Sequence, residues 1–348
     1  MRIGIIVNPH ARRAQDPSLV AGLEAICREF PALHCQLTVT EHPTALREAI
    51  DRFADQRIDV LATYGGDGTL TATLTEAQRV FGSELPLWLP LAGGTINTIA
   101  KNLGASGTPT TRLRGALSLL AKSGNLPFRP QATLRITSSD EVPLDFATLR
   151  PQQSVAKTSG ERTGFLASAA MGARFLAAYT SSPNRGLLSA SLLGLRTIGS
   201  SLIPGGGRFA RWLFAPLQTQ LTVDGITQPD PSYRLLIAST IPDVGLGMRV
   251  PWQAGRSLDR FQLIASSLPV TANALQIHRM LLGKPLVGQP HLDALAQQVT
   301  MTFPQPEPIV LDGELFCTAR LHLSMGPTLR ILSPAVAPQG IEPRTLRV

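Results

Sequence analysis

The stretch DVLATYGGDGTLTATL, residues 59–74, is the most informative part of this sequence for the fold. The run Asp59–Thr63 predicts a β-strand, which leads into the glycine-rich turn Gly65–Thr69 and then a helical pattern from Leu70 to Phe81. Glycines in such a unit let the backbone approach a phosphate group, and the N–H groups at the helix start favour negative charge. The stretch therefore predicts a phosphate-binding turn.

Asp67 lies in the middle of this turn and needs an explanation of its own. A carboxylate repels a phosphate, so it does not bind one directly. Its presence is explained if it holds Mg²⁺, orients a water molecule or accepts a proton. The alternative is an ordinary glycine-rich turn between a strand and a helix, and the rest of the sequence decides between the two.

Strands and helices alternate along the first 125 residues, which predicts a mostly parallel α/β sheet that binds ligands at the carboxyl ends of its strands. From about residue 126 the pattern changes to short β-rich runs broken by Pro, Gly and Asp. We predict an α/β nucleotide-binding domain over residues 1–125, completed by the tail at about 326–348. An antiparallel β-sandwich domain follows over residues 126–325, with a helical insertion at about 174–211.

The composition narrows the range of functions. The chain has 348 residues and a net charge of +8, which suits anionic partners such as nucleotide phosphates and lipid head groups. Aromatic residues make up 5%, too few for a stacking platform, so no nucleic-acid partner is expected. The three Cys form no CxxC pair, the apolar run after Met1 is too short for a signal peptide, and no apolar stretch reaches about 18 residues. We therefore expect a cytoplasmic protein.

Three further motifs accompany GGDGT at residues 65–69: VNPHARR at residues 7–13, PLAGGTINTIAKNLG at residues 90–104 and IVLDGELF at residues 309–316. Together they resemble the diacylglycerol and sphingosine lipid kinases, which have Asn-Pro-x-Ser-Gly, Pro-x-Gly-Thr-x-Asn-Asp and Asp-Gly-Glu segments at these places. GGDGT alone is also found in NAD kinases and phosphofructokinases. An NAD kinase would need a Gly-Asn-x-Gly-x-Leu-Gly-like segment after GGDGT, which this chain lacks, so it is the lesser alternative.

This resemblance implies an NAD-kinase-like α/β domain followed by a β-sandwich domain, with ATP and Mg²⁺ as cofactors. The residues that it implies for nucleotide binding are Asn8, Pro9, His10, Ala11, Arg12, Thr40, Gly65, Gly66, Asp67, Gly68, Thr69, Gly94, Thr95 and Asn97. Asp259 aligns with a metal-linked Asp-Gly position of the family, and Asp67 is the second residue implied for the metal.

The general base that the resemblance implies is Glu314, the Glu of the Asp-Gly-Glu segment, which would deprotonate a lipid hydroxyl. A carboxylate in a tight turn between strands is rigid, and phosphoryl transfer needs such a group facing the acceptor. Two alternatives stay open. Asp312-Gly313 is an ordinary hairpin turn beside an exposed Glu, or Asp67 is the base, as has been assigned in sphingosine kinases.

Two positions depart from the family pattern. Thr98 stands where many bacterial diacylglycerol kinases have an Asp in the Mg²⁺–water network, and Arg260 replaces the Gly after Asp259. Both departures weaken the metal assignment. Thr98 also favours a sphingoid base, ceramide or another acceptor over diacylglycerol. A catalytically inactive lipid- or nucleotide-binding regulatory protein is the alternative that these positions leave open.

The segment 174–211 is rich in Leu and Ile, with several Arg spaced through it and Phe209 and Trp212 near its end. This pattern suits insertion into the surface of an anionic membrane, and it suits equally a helix packed on the domain core. We expect an ATP-dependent kinase that phosphorylates a hydroxyl of a membrane lipid and associates peripherally with an anionic membrane. A homodimer stays open.

Overall fold

The computed structural model describes residues 1–11, 17–122, 125–145, 150–151, 158–181, 186–203, 205–288, 290–332 and 344–347. The chain divides into two compact units. Met1–Thr133 and Pro327–Val348 form the first unit, and Leu134–Gly326 forms the second.

The first unit alternates strands and helices, numbered here in chain order through both units. Its strands are β1 (Arg2–Val7), β2 (His34–Val39), β3 (Val60–Gly65), β4 (Leu87–Ala92), β5 (Asn125–Gln131), β20 (Leu329–Leu332) and β21 (Arg344–Arg347). Its helices are α1 (Pro17–Arg28), α2 (Pro43–Asp55), α3 (Asp67–Phe81), α4 (Thr98–Asn102) and α5 (Pro109–Lys122).

These seven strands form one sheet in the order β2-β1-β3-β4-β20-β5-β21. The neighbours from β2 to β20 pair in parallel, whereas β5 is antiparallel to both β20 and β21. Residues 3–7 of β1 and all of β3 are buried, as expected for strands covered on both faces. Because β1, β3 and β4 are parallel neighbours, their carboxyl ends lie along one edge of the sheet, and the loops that carry the sequence motifs follow them.

The second unit is rich in antiparallel strands. Its strands are β6 (Leu134–Glu141), β7 (Leu144–Asp145), β8 (Arg150–Pro151), β9 (Thr158–Gly164), β10 (Leu166–Ala170), β11 (Leu217–Gln218), β12 (Gln220–Val223), β13 (Ile226–Thr227), β14 (Ser232–Tyr233), β15 (Leu235–Ser239), β16 (Phe261–Ser266), β17 (His291–Ala296), β18 (Gln298–Leu311) and β19 (Glu314–Met325). Its helices are α6 (Met171–Thr180), α7 (Leu187–Ser201), α8 (Arg208–Leu213), α9 (Val270–Ala274) and α10 (Ile277–Leu281).

Ten of these strands belong to one sheet, whose main path runs β17-β16-β15-β10-β18-β19-β6-β9. The long strand β18 organises it, because its first part pairs with β12 and its last part with β10, while β19 pairs along both. The register shifts between Thr302 and Glu307, where the strand passes from one part of the sheet to the other. The predicted fold class, an α/β domain followed by an antiparallel β domain, is confirmed.

The predicted helical insertion comprises α6, α7 and α8. Helix α6 contacts β10, β15 and β18 and buries Ala173, Ala177 and Tyr179, so it covers the core. Helix α7 instead leaves large apolar side chains in contact with solvent. Helices α9 and α10 lie outside the predicted insertion, and α9 contacts α7. Among the described residues, no helix has the length and apolar character needed to cross a bilayer.

Candidate functional site

The glycine-rich turn connects the end of β3 to the start of α3. Gly66 is the N-cap residue with φ −84° and ψ −177°, so its backbone is extended and helix α3 begins at Asp67. The first hydrogen bond of the helix runs from the N–H of Leu70 to the carbonyl of Gly66 over 3.1 Å. The N–H groups of Asp67, Gly68 and Thr69 therefore have no acceptor within the helix. This end of α3 has the donors and the dipole that a phosphate requires.

A second glycine-rich loop, after β4, lies directly against this turn. The N–H of Gly93 donates to the carbonyl of Gly65 over 2.8 Å. A Cβ atom on Gly94 would lie 2.6 Å from the Cα of Gly66, which no real structure accommodates. A Cβ atom on Gly66 would meet nothing closer than the Cα of Gly94 at 3.6 Å. Gly94 is therefore required by the packing of the two loops, whereas packing alone leaves room for a side chain at Gly66.

Asn97 shapes this second loop from within. Its backbone is left-handed, with φ 55° and ψ 46°, a conformation that Asn adopts more readily than most residues. Its side chain is buried and brackets Gly94: Oδ1 accepts from the N–H of Gly94 over 2.7 Å, and Nδ2 donates to the carbonyl of Gly94 over 2.8 Å. Thr95 between them is exposed. The structure thus gives Asn97 a scaffolding role and leaves Thr95 accessible to a ligand.

Asp67 ties the two loops together through helix α4. Its Oδ2 accepts from the N–H of Thr98 over 2.7 Å, and its Oδ1 accepts from the N–H of Ile99 over 3.0 Å. Desolvation raises the pKa of Asp67 to about 6, opposed by these N–H donors and by the charge of Lys101. Both oxygens of the Asp67 carboxylate therefore serve the start of α4.

The loop after β1 joins the same edge of the sheet. The side chain of Asn8 donates from Nδ2 to Oγ1 of Thr69 over 2.7 Å and accepts the N–H of His10 over 2.9 Å. The N–H of Ala11 donates to the carbonyl of Asn8 over 3.2 Å, which closes the loop, and Ala11 is buried. Pro9 and His10 between them are partly or fully exposed, whereas Arg12 lies outside the described residues.

Thr40 follows the neighbouring strand β2 at this edge. Its N–H donates to the carbonyl of Val7 over 2.9 Å, and its side chain is buried. The structure thus brings the loops after β1, β2, β3 and β4 together. The donor-rich end of α3 at their centre fits a nucleotide phosphate.

The Asp-Gly-Glu segment lies in the second unit, at the hairpin between β18 and β19. Asp312 and Gly313 form a two-residue turn with φ 48° and φ 92°, and Leu311 pairs with Glu314 across it. The carboxylate of Asp312 is buried and accepts the N–H of Phe165 and that of Leu166, over 3.0 and 2.9 Å. The turn is thereby fixed to the connection between β9 and β10. Gly164 is required there, because a Cβ atom would overlap Asp312.

Glu314 follows this fixed turn. Its side chain is exposed, and none of the described residues makes a hydrogen bond or an ion pair with its carboxylate. The surrounding protein nevertheless desolvates the carboxylate in part and raises its pKa, opposed by the positive charge of Arg162. A carboxylate with a raised pKa, a fixed backbone and no partner has the properties of a general base.

The described residues do not form a metal cage of their own. No group of three or more His, Cys, Asp or Glu side chains converges within them. Asp259 is exposed and accepts a hydrogen bond from Oγ of Ser257, while Arg260 points to the carbonyl of Leu295. Magnesium in phosphoryl-transfer sites takes one or two carboxylates together with phosphate oxygens and water. The protein groups alone therefore do not fit a metal site, and most ligands would have to come from a bound nucleotide.

Several residues that hold the site were not found by sequence reasoning. The buried Arg112 donates to the carbonyls of Pro90 and Gly104, each over 2.8 Å, and Arg129 donates to the carbonyl of Asn102 over 2.8 Å. These guanidinium groups fix the loop and helix that follow β4. Their acceptors are main-chain carbonyls, which carry no sequence signal, so composition and spacing give no indication of them.

Gly66→Ala tests whether a ligand occupies the space beside the turn. The nearest contact of the new methyl group would be an ordinary one, so we expect unchanged thermal stability. A bound phosphate would meet this methyl group, and we expect ATP affinity to fall by about ten- to a hundredfold, as for other overpacked sites. Isothermal titration calorimetry measures the ATP affinity. Gly115→Ala, whose Cβ would point into open space on α5, is the matched control. Unchanged affinity in Gly66→Ala would contradict a phosphate at this position.

Comparison with known proteins agrees with this geometry. Residues 2–127 match the family model of the diacylglycerol kinase catalytic domain. No curated protein matches the chain. Two structures of a candidate diacylglycerol kinase from Bacillus anthracis str. Sterne each match with a TM-score of 0.65, at 16% and 14% identity, over 97% of this chain and 97% and 98% of theirs. A structure of a diacylglycerol kinase from the same organism matches with a TM-score of 0.57 at 14% identity, over 97% of this chain and 98% of its own.

Identities this low indicate a shared fold over the whole length and nothing about substrate. The family model covers residues 2–127 of the first unit, which include the motifs at residues 7–13, 65–69 and 90–104. The resemblance to the diacylglycerol kinase family that the sequence motifs predicted is confirmed at this level.

Proposed function

We propose, from the match of residues 2–127 to the family model of the diacylglycerol kinase catalytic domain, that this chain transfers the γ-phosphate of ATP to a hydroxyl group of a membrane lipid. The acceptor would be diacylglycerol, a sphingoid base, ceramide or a related lipid. The observation that carries the proposal is the turn at Gly66, where the donor-rich start of α3 meets the loop of Gly94 at the carboxyl edge of the sheet. Phosphoryl transfer depends mostly on positioning and on stabilising phosphate charge, which such an edge supports.

The residues of the first unit would divide the work of nucleotide binding. The N–H groups of Gly68 and Thr69 would bind phosphate oxygens, and the exposed Thr95 and His10 would contact the nucleotide from the neighbouring loops. Asn8, Asp67 and Asn97 would act by holding those loops in place, since their side chains are used within the protein. Mg²⁺ bound with the nucleotide would neutralise phosphate charge.

Glu314 would be the base that takes the proton of the lipid hydroxyl. A general base must be ionised, accessible and held in a fixed position. Glu314 is exposed, and the buried Asp312 fixes the turn that precedes it. Asp67 is less suited to the same role, because both of its oxygens already accept backbone N–H groups.

A surface for meeting the lipid bilayer is proposed on the helices of the second unit. Twelve large apolar side chains are exposed among the described residues, and all except Val39 and Ile226 belong to two segments, residues 188–212 and 275–287. Leu188, Leu192 and Leu195 follow helical spacing on α7 and are 82%, 65% and 64% exposed. Leucines presented in this way favour insertion into the acyl boundary of a membrane over contact with water.

The charge of the same segments supports a membrane with anionic lipids as the partner. Residues 171–215 contain five Arg and no Asp or Glu, and residues 268–288 contain Arg279 and Lys284 and again no acidic residue. Arg196 lies over the ring of Phe209 at 4.3 Å, which connects α7 to α8. Basic residues around inserted leucines each add about 1 kcal/mol of attraction to an anionic surface.

The triple variant Leu188→Ser, Leu192→Ser and Leu195→Ser tests this surface. We expect its partitioning onto vesicles of phosphatidylglycerol and phosphatidylcholine to fall by about a hundredfold, because roughly 1 kcal/mol of burial is lost at each position. Turnover of a short-chain, water-soluble lipid should be retained. Vesicle flotation measures binding, and Ile226→Ser, at an exposed apolar residue of β13, is the control. Unchanged flotation, with a change from dimer to monomer, would instead make this face a contact between two copies.

The transfer reaction itself is tested with purified protein, ATP labelled in the γ-phosphate, Mg²⁺ and vesicles that contain a mixed lipid extract. We expect the label to move into the organic phase, and we expect this transfer to require the vesicles. Label that stays in the aqueous phase, with ATP still bound, would favour the alternative of a catalytically inactive regulatory protein. Thr98 and Arg260 are the positions that keep this alternative open.

A further inference from the structure

An ion pair lies next to the Asp-Gly-Glu hairpin, and its contribution to the stability of the fold does not explain why it is placed there. Arg162 on β9 donates from both Nη atoms to the two carboxylate oxygens of Glu141 on β6, the Nη2 bond measuring 2.9 Å. Oγ of Ser138 also donates to Glu141. The side chains of Arg162 and Glu141 are only 28% and 11% exposed. A bidentate pair with this little exposure holds its guanidinium in one orientation.

The guanidinium is fixed on a second side by an aromatic ring. The Cζ atom of Arg162 lies 4.4 Å from the centre of the ring of Phe316, within the range of a cation–π contact. Phe316 is two residues after Glu314 on β19, so the two side chains project from the same face of the strand. The positive charge of Arg162 is thereby brought next to the carboxylate of Glu314.

Space for this arrangement depends on a glycine. A Cβ atom on Gly160 would lie 2.8 Å from Nη1 of Arg162 and 2.8 Å from Oε1 of Glu141. Any side chain at this position would displace the ion pair. The backbone of β9 and β6 is thus arranged so that the pair can form where it does.

We propose that Arg162 is a positioning residue for the base Glu314: Glu141 and Phe316 hold its guanidinium close enough to favour an ionised carboxylate, and hold it back from pairing with that carboxylate. This inference rests on the proposed function of Glu314 as the base. The base has to remain ionised in a partly desolvated place, and it must keep its oxygens available for the hydroxyl proton. A cation that formed a direct ion pair with Glu314 would keep the carboxylate ionised, but it would occupy the oxygens that have to accept the hydroxyl proton.

The other charged groups around Glu314 do not supply the same effect. Arg162 on β9 is the cation that acts on the carboxylate, and it opposes the desolvation that raises the pKa of Glu314. Glu141, which binds the same guanidinium, and Asp312, two residues before Glu314, are carboxylates and would act in the opposite sense. Among the described residues, then, the balance at Glu314 depends on the position of one guanidinium.

Two substitutions are expected to move the titration of Glu314 in opposite directions. Arg162→Gln removes the cation, so the Glu314 pKa should rise. Glu141→Gln releases Arg162, which can then pair with Glu314 directly, so the pKa should fall. The acid limb of kcat/KM should move with it in each variant, and kcat should drop in Glu141→Gln because the base is occupied.

The measurement is a pH titration of the full-length protein labelled with ¹³C at the glutamate carboxyl groups. The Glu314 resonance is identified by its loss in Glu314→Gln. Arg135→Gln is the matched control, because Arg135 is an exposed arginine of the same sheet that pairs with Glu161 instead. Its Glu314 titration should equal that of the wild type. Identical Glu314 titrations in wild type, Arg162→Gln and Glu141→Gln would overturn the inference.

The titration and the kinase assay fail independently. Absence of lipid phosphorylation by the wild type would defeat the proposed function, while the titration would still show whether Arg162 controls Glu314. Normal phosphorylation with no effect of Arg162→Gln on the titration would defeat this inference alone. If Arg162→Gln does not fold, Glu141→Gln and Arg162→Lys carry the test. The lysine variant keeps the cation and should therefore stay closer to the wild-type titration than Arg162→Gln would.

Discussion

Glu314→Gln is expected to reduce phosphoryl transfer to lipid by about a hundred- to ten-thousandfold, the range associated with loss of a general base. ATP affinity should be unchanged, because none of the residues that form the phosphate-binding turn belongs to this hairpin. The substitution leaves no other group without a hydrogen-bond partner, since no described residue pairs with the carboxylate of Glu314. The melting temperature should accordingly stay close to that of the wild type.

Initial rates with labelled ATP, calorimetric nucleotide affinity and thermal unfolding together check this expectation. Glu161→Gln, at an exposed glutamate of β9, is the control and should retain full activity. Substantial turnover in Glu314→Gln would show that another group takes the proton. Asp67 would then be the next candidate for the base.

Asp67→Asn should affect the protein in a different way, because Asp67 holds two elements together. An Asn side chain has one acceptor oxygen where the carboxylate has two, so its NH₂ group would face the N–H of Thr98 or that of Ile99. We expect a loss of about 1–3 kcal/mol in the free energy of unfolding, the cost of an unsatisfied buried donor. Helix α4 and the Gly94 loop should become less ordered, and ATP affinity should fall together with stability.

Thermal unfolding and nucleotide titration of the same preparation check this second expectation. Thr98→Ala is its control, because it keeps the backbone N–H that Asp67 accepts, and it should leave the melting temperature unchanged. An Asp67→Asn variant with normal stability and ATP affinity but altered Mg²⁺ dependence would contradict the scaffolding role. Asp67 would then act as the metal-associated residue that the family resemblance implies.

The parts of the structure predicted from sequence are those in which neighbouring residues determine the outcome. The order of β3, turn and α3 is as predicted because its strand run, glycines and helical pattern are contiguous in the chain, although α3 begins at Asp67, three residues before the predicted Leu70. The hairpin at Asp312-Gly313 has the same local origin, since both residues accept positive φ. The confirmed fold class follows from the change of pattern at about residue 126.

The parts that sequence reasoning did not give depend on contacts between distant residues. Asp67 accepts N–H groups that are 31 and 32 positions away, and Asp312 accepts one that is 147 positions away. Because these carboxylates accept from backbone N–H groups, which almost every residue type has, the sequence does not indicate which residue is the partner. Gly94 likewise resembled a ligand-binding glycine, although its lack of a side chain is already required by the Cα of Gly66.

The helical segments of the second unit combine both of the predicted alternatives. The sequence pattern of residues 174–211 was equally compatible with a core helix and an interfacial helix, and the structure contains both: α6 covers the core, and α7 exposes its leucines. Helices α9 and α10 were not predicted, because each has five residues and too short a pattern to show a helical period.

Mass spectrometry of the lipids formed by the purified protein tests the central claim most directly. The protein would be incubated with Mg²⁺, a mixed lipid extract and ATP that carries an ¹⁸O-labelled γ-phosphate, in parallel with Glu314→Gln. We predict that the wild type produces a lipid heavier by one labelled phosphoryl group, attached to a hydroxyl of its head group, and that Glu314→Gln does not. A wild-type protein that binds ATP but forms no labelled lipid, or that transfers the label to a soluble nucleotide, would contradict the assignment as a lipid kinase.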